Sequence, residues 1–456
     1  MRLFRLLAPF AVVLLVAAAC GSNNNKSANN KPAGNAPGTA AGTAAPASSG
    51  KVIHLTMHYP IGVAGPLATI INNYVTEFHQ QNPDIDVTPV YDGDYATALA
   101  KCLQLVQAGT PPDTAILNAA AIYTLTDANA VMPLDDLIKQ SGGDSFINDF
   151  FPAFLANSQL GGHTWSIPYQ RSTMVMYYNK DAFKEAGLDP EKPPQTWDEL
   201  VDDAQKLTKR DASGNVVRWG VGYGSDGAAY WEFQALPITF GKNVVDPDKG
   251  NVVYFNTPEA VKGLQLLYDF GRKYKVSPEG TVGWSTIPAE FDAGKYAIVF
   301  HSTGSLTAIL KGANFPVGVA FVPKGVQYGS QTGGGNLYIF KGIPQDHVQA
   351  AWKFIQWMTS TERQAKWSID TGYVAARKSS WDTQTMKDYI AKVPQVTVAR
   401  DQLQYAQTEL GTHQMAQVQQ ILSDAIGAAL TGQDSVQGAL DKAQQKAMDI
   451  LKQYKN

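Results

Sequence analysis

Cysteine is almost missing from this chain. Cys20 and Cys102 are the only two in 456 residues, which excludes a disulfide framework. Cys102 falls on an apolar helical pattern and reads as a core residue. A basic excess is missing too: 37 Lys and Arg stand against 40 Asp and Glu, for a formal charge of −3. With no Lys/Arg cluster, a nucleic-acid partner is excluded. Metal motifs of the CxxC or HExxH type do not occur. His54 and His58 are four apart, but on a strand that places them about 13 Å from each other, too far to chelate. There is no Gly-x-Ser-x-Gly nucleophile turn, since Thr303-Gly304-Ser305-Leu306 lacks the second Gly, and no SxxK stands beside supporting motifs. Gly333-Gly334-Gly335 has neither the spacing nor the Lys of a phosphate loop and reads as a tight turn or a ligand-facing backbone. The carboxylates Asp92, Asp94, Glu232, Glu290 and Asp292 supply acids for a glycosidase pair without any spacing that assigns one; solvated surface acids are the default. These absences lead to an expectation of no metal, no cofactor and no enzymatic role.

What the chain does have begins at its N-terminus. Residues 1–5 carry Arg2 and Arg5, Leu6 to Ala19 is an apolar run containing one Pro, and Ala17-Ala18-Ala19 leads into Cys20-Gly21. That is the layout of an export signal with a small-residue cleavage site; at under about 20 apolar residues it is short for a membrane span. The small-small-Cys end resembles the lipobox of bacterial lipoproteins, with Ala17 standing where Leu is usual, and implies a signal peptide over 1–19 and lipidation of Cys20. Residues 21–50 hold no aromatic and no large aliphatic side chain. Such a stretch cannot bury enough apolar surface to become ordered. As a coil of about thirty residues it would reach roughly 30 Å, so 20–50 reads as a lipid-anchored, disordered linker. Removing the leader takes away two arginines and no acid, moving the charge from −3 to −5. The expected location is exported and membrane-anchored, facing the extracytoplasmic side.

From residue 51 the pattern is globular, and about 400 residues allow one large or two medium domains. Ile53, Leu55 and Met57 alternate as in a strand, and Leu67, Ile70, Ile71, Tyr74, Val75 and Phe78 follow helical spacing behind Pro66. A second strand through Ile85, Val87 and Val90 follows, then a helix through Ala96, Leu99, Cys102, Leu103 and Val106, then the apolar run Ala115-Ile116-Leu117. Alternating strand and helix signifies an α/β sheet with crossover helices. Further strands are predicted at 173–178 and 296–300, and helices at 197–207, 261–270 and 348–358. The stretch 402–454 is helical in composition, with a break near Thr431-Gly432. Continuous alternation over this length points to two α/β lobes.

Aromatic residues placed in loops after strands stand out: Tyr59, Tyr91, Tyr95, Tyr169, Trp197, Tyr230, Trp231 and Tyr373. Taken singly, each is more readily a core residue. Collected in a cleft beyond the strand ends, their faces suit a sugar ring or a cationic head.

The run from Ile167-Pro-Tyr-Gln-Arg-Ser-Thr-Met-Val-Met-Tyr-Tyr-Asn-Lys180 through Asp181-Ala-Phe-Lys-Glu-Ala-Gly-Leu-Asp-Pro190 to Pro193-Pro-Gln-Thr-Trp197 resembles the solute-binding proteins of ABC importers. Within them it is most like the sn-glycerol-3-phosphate-binding group. Gly93-Asp94-Tyr95, Phe291-Asp-Ala-Gly-Lys295, Ser302-Thr-Gly-Ser-Leu306 and Thr371-Gly-Tyr373 extend the likeness over about 53–450. The resemblance implies a two-lobe periplasmic-binding-protein fold of type II, maltose-binding-protein-like, with an interlobe ligand cleft and a helical C-terminal region. By analogy lobe 1 is 51–170 with 335–370, and lobe 2 is 171–334 with 371–456. It also implies ligand contacts at Tyr95, Ser172, Trp197, Ser302, Gly334 and Tyr373, so that Trp197→Ala is expected to weaken binding without unfolding. Two positions depart from the family: Ala121 stands where relatives hold glycerol hydroxyls with Glu, and Gln419 where they grip phosphate with Arg. A neutral Gln cannot replace a bidentate Arg on phosphate. Arg171, beside Ser172, is a candidate to supply that charge or to form an interlobe ion pair, and Tyr230 is added to the ligand-binding set. The expected function is capture of a small polar solute (a sugar, a polyol, or a glycerophosphate or glycerophosphodiester) and its delivery to the transmembrane subunits of an ABC permease. The protein is expected to act as a monomer held at the membrane by its lipid. The alternatives are an anchored glycosidase or phosphodiesterase, and a solute sensor.

Overall fold

Thirteen successive residues, Ile167–Asn179, form one strand in which every residue is buried. No polar face alternates with an apolar one, because neighbours cover both sides of this strand. In the computed structural model, which describes residues 51–63 and 65–454, this strand holds the sheet together. The 1–19 leader, Cys20 and the 20–50 linker lie outside the described residues. Through Ile167–Thr173 the strand pairs antiparallel with the Ser330–Ile339 strand. Through Met174–Tyr178 it pairs with the Tyr296–Ser302 strand instead. It thus passes from one set of partners to another within its own length.

The sheet on one side runs from Ser330–Ile339 to Thr114–Asn118, Ile53–Tyr59 and Ile85–Tyr91; on the other it runs through Tyr296–Ser302 to Val216–Tyr223 and Lys209–Arg210. The strands at 53–59, 85–91 and 114–118 are mutually parallel. They are joined by the Leu67–Gln81 and Tyr95–Gln107 helices, the expected crossover arrangement. Ser330–Ile339 runs antiparallel to Thr114–Asn118 and to Ile167–Asn179, which makes the sheet mixed. Its register shifts between Gly335 and Asn336, a bulge of the kind that re-aims a strand.

Two large apolar clusters flank this sheet. One packs the helices Leu67–Gln81, Gln345–Met358 and Thr361–Thr371 around Phe78, Phe354 and Trp367, and takes in the segment from Tyr373 to Leu403. Phe78 meets Phe354 edge-on at 5.0 Å between ring centres; burying one such ring contributes about 1.5–3 kcal/mol. The other packs Trp197–Leu207, Ala229–Phe240, Pro258–Arg272 and the C-terminal pair Met415–Leu430 and Val436–Leu451. Helix starts are set locally: Asp94 accepts from the Thr97 amide at 2.8 Å, and Thr196 with Glu199 completes a reciprocal capping box. The C-terminal pair breaks at Thr431-Gly432, where the sequence places the break. The stretch before it is different from the expected helix. After Val396–Gln402 the chain makes a short 3-10 turn, pairs Ala406–Gln407 beside Ser330–Gln331, and runs without helix or strand through a turn at His413-Gln414 to Met415. No helix among the described residues is long and apolar enough to cross a membrane.

Candidate functional site

The two strands that hand over between sheet neighbours expose their backbones to a chamber of about 430 Å³. Ser172 and Gly333 stand opposite each other in register, and Gly334 faces Arg171. Gly334 has φ +90°, and a Cβ there would lie 1.9 Å from the Gln170 carbonyl oxygen. Only glycine lets the strands approach this closely, so the triple-glycine run is a lining backbone. Its neighbour Gly333 is covered by the Trp231 indole, whose N–H donates to the Thr332 carbonyl at 2.9 Å.

Side chains close the remaining walls. Tyr95, in the first turn behind the Asp94 cap, receives the Gln170 amide on its hydroxyl at 2.6 Å. Ser302 ends its strand and accepts the Gly304 amide at 3.1 Å. Tyr373 follows Gly372, whose φ of +98° terminates the Thr361–Thr371 helix, and its ring lies parallel to Trp367 at 5.8 Å. Tyr230 and Trp231 sit in the first turn of the Ala229–Phe240 helix. Trp284 meets Trp231 edge-on at 5.5 Å and stacks on His301 at 3.8 Å. Its indole N–H donates to the Gly62 carbonyl at 3.2 Å, linking the loop after the first strand to the far wall. The chamber opens into a larger vestibule of about 1590 Å³, which Leu99, Pro288, Met415, Gln419 and Gln420 help to line.

Of the residues expected at a site, Tyr95, Ser172, Ser302, Gly334, Tyr373 and Tyr230 therefore surround one chamber. Trp197 does not. It is 3 % exposed, its indole N–H donates to Thr239 Oγ1 at 2.9 Å, and its ring packs on Phe300 at 5.5 Å. Its place at the start of an amphipathic helix turns it into the second core, a correction to the expected ligand contact. Arg171 is also absent from the lining. It is fully buried, donates to Asn336 Oδ1 at 3.0 Å and lies 5.0 Å over the Phe154 ring. Its Nε and second terminal nitrogen have no partner among the described residues. Burial lowers its pKa to about 10. No carboxylate pairs with it among the described residues, so the expected interlobe ion pair is not formed. Ala121 is buried in a 3-10 turn. Gln419 lines the vestibule and donates to the Leu410 carbonyl at 2.8 Å.

Sequence reasoning missed Glu409. It lies on the non-helical 406–414 segment, is 2 % exposed and lines the chamber. Its Oε1 accepts from Asn118 at 3.0 Å and from the Tyr230 hydroxyl at 3.1 Å. Its Oε2 has no partner among the described residues. Burial is the main cause lifting its pKa to about 7; Asn118, the Arg171 charge and Tyr230 act in the opposite sense. The available signal was Gly411-Thr412, a poor continuation for a helix, two residues after the acid.

The other carboxylates considered have different duties. Asp92 is held by His58 at 2.6 Å and Lys101 at 3.2 Å, Asp94 caps its helix, and Glu290 pairs with Lys295. Glu232 is buried against Gly224 with both oxygens unpartnered and its pKa raised by that burial. His58, Asp92 and Cys102 bring their donor atoms within 4.8 Å of one another. Lys101 already occupies Asp92, and burial pushes the Cys102 thiol up to about 12, so this set is a hydrogen-bonded core cluster and fits a metal poorly.

The family model described as bacterial extracellular solute-binding protein matches residues 73–395. The sn-glycerol-3-phosphate-binding periplasmic protein UgpB of Escherichia coli O6:K15:H31 is 30% identical over 407 residues, covering 86% of this chain and 91% of that one. Among solved structures, UgpB from Mycobacterium tuberculosis in complex with glycerophosphocholine superposes with a TM-score of 0.77 at 26% identity, over 89% of this chain and 99% of the other. Maltose-bound MalE3 of T. maritima gives 0.75 at 23% identity, over 88% and 100%, a likeness of fold.

Proposed function

The chain belongs to the bacterial extracellular solute-binding proteins, and from that premise we propose that its chamber captures a small polyhydroxylated solute for delivery to an ABC permease. The observation carrying this reading is that Tyr95, Ser172, Ser302, Gly334 and Tyr373 line one chamber together with Tyr230 and Trp231. Aromatic rings, hydroxyls and an acceptor carboxylate are the groups that orient a hydroxyl-rich ligand in a small pocket. The relatives' printed ligands, glycerol phosphate and glycerophosphocholine, fall in the same size range. A phosphomonoester is the less favoured member of that range here, because among the described residues no Lys or Arg lines the chamber and phosphate needs charge-assisted donors.

Binding would work by differential affinity. In this proposal 51–170 with 335–370 and 171–334 with 371–456 are the two lobes, and contacts to both make the closed arrangement the preferred one. The permease would read that arrangement. Lipidation at Cys20 would keep a monomeric receptor near the membrane on the extracytoplasmic side, raising its effective concentration at the transporter. An enzymatic alternative has less to build on: glycoside hydrolysis uses two carboxyl groups flanking the bond, and among the described residues Glu409 is the one acid lining the chamber.

The test is a thermal-shift panel of sugars, polyols and glycerophospho compounds. A true solute at a hundred times its dissociation constant should add about 2.7 kcal/mol of stability. Turnover of any stabilising compound by the purified protein would favour the enzyme reading instead.

A further inference from the structure

Among the described residues, the carboxylates lining the cleft face no Lys or Arg in its lining. The chamber is lined by Glu409, the vestibule by Asp94, and a third cavity sharing Gly227, Gln420 and Ser423 with the vestibule by Asp226 and Asp424. Among the described residues none of the three is lined by Lys or Arg. The single basic side chain, His301, stays neutral at ordinary pH because burial lowers its pKa to about 4. A concave surface carrying only negative charge focuses its potential inward and concentrates cations. The second observation is Glu409 itself, a carboxylate buried to 98 % of its surface with Oε2 unpartnered while Oε1 has two donors. A buried anionic oxygen with no partner is costly, and the cost is recovered when a ligand brings a positive charge or a donor. Tyr95, Tyr230, Trp231, Trp284 and Tyr373 line the same chamber, and an aromatic ring that turns a face to a cation attracts it.

We propose that the solute carries a positively charged nitrogen, an ammonium or quaternary ammonium group on a polar body, and that Glu409 is its counter-ion within the aromatic chamber. This rests on the receptor reading above and narrows it. The groups facing Glu409 are Asn118 and Tyr230 as donors, with Arg171 and Tyr95 nearby. Arg171 lies behind the strands on Asn336, where its charge helps Glu409 stay ionised without entering the chamber. A cation in the chamber stabilises the ionised carboxylate further, so its affinity should fall as pH drops below about 7 and Glu409 takes up a proton.

Calorimetric titration of the full mature chain with choline and with its uncharged carbon isostere, dimethylbutanol, tests this. Choline holds its charge at every pH used, so any pH dependence belongs to the protein. We expect choline to bind at least about tenfold tighter than the isostere at about pH 8. Glu409→Gln should erase that ratio, and lowering the wild type to about pH 5.5 should weaken choline about tenfold or more. Should Glu409→Gln fail to fold, the wild-type pH series decides alone. Equal affinity for the two probes, or no heat with choline, overturns the inference. If neutral sugars still stabilise the protein in that case, the receptor reading stands; if nothing on the panel does, both fall.

Discussion

At the residue scale, Glu409 and Trp197 exchange the importance their surroundings in the sequence give them. Burial raises Glu409 to about 7 from the ordinary 4.5, so the folded protein prefers its protonated form. The group leaves stability unchanged below about pH 4.5 and subtracts from it as pH rises to about 7 and beyond. Ligand-free Glu409→Gln should therefore gain on the wild type between about pH 5 and pH 8, by on the order of 2–3 kcal/mol in chemical unfolding. A difference that stays constant over that range would contradict the assignment. Trp197→Ala should cost about 3–5 kcal/mol through lost core volume while leaving the affinity of the folded fraction unchanged; weakened binding at full stability would return Trp197 to the site. Gly334→Ala forces a left-handed residue with a Cβ against the Gln170 carbonyl and should cost about 1–3 kcal/mol together with affinity. Retained binding and stability would show that the strands can separate.

At the scale of elements, most of what periodicity supplies was legible. The early strands and crossover helices, the buried strand near Thr173, the Trp197–Leu207 helix and the break near Thr431 lie where alternation and capping residues put them. The segment 406–414 was not legible, because Gln, Ala and Leu around it carry helical propensity and its non-helical course is imposed from outside. Gln234, buried on the Ala229–Phe240 helix, takes the Leu410 amide on its Oε1 at 3.0 Å and donates to the Thr408 carbonyl at 2.8 Å. Those two bonds bracket Glu409 and fix its height in the chamber. Nothing local in the sequence announces a tertiary clamp of this kind. Gln234→Leu would leave both backbone groups without these partners, costing about 1–3 kcal/mol, and should lower solute affinity though Gln234 does not line the chamber. Unchanged affinity would mean that the segment holds its course by other contacts. Five of the residues carried by the family resemblance, Tyr95, Ser172, Ser302, Gly334 and Tyr373, come together at strand ends and helix starts around one chamber. Trp197 fails because an aromatic beside a turn is equally suited to a core, and only packing decides between the two.

At the scale of the molecule, the architecture turns a sheet whose central strands change partners into a space reached from several elements at once. Asn118 and Tyr230 meet on Glu409, and Trp284 reaches the Gly62 carbonyl, so elements far apart in sequence are already joined at the chamber. If solute adds contacts across the same gap, scattering in solution should show a smaller radius of gyration with a stabilising solute than without it. An unchanged radius would require binding without closure. The central claim is that this chamber is the solute site. Ser172 tests it most directly, because it lines the chamber and its side chain makes no hydrogen bond among the described residues. Calorimetry of Ser172→Leu with the best stabilising solute from the panel should show an affinity loss of about tenfold or more, since the added side chain occupies ligand volume; affinity equal to wild type would place the solute elsewhere.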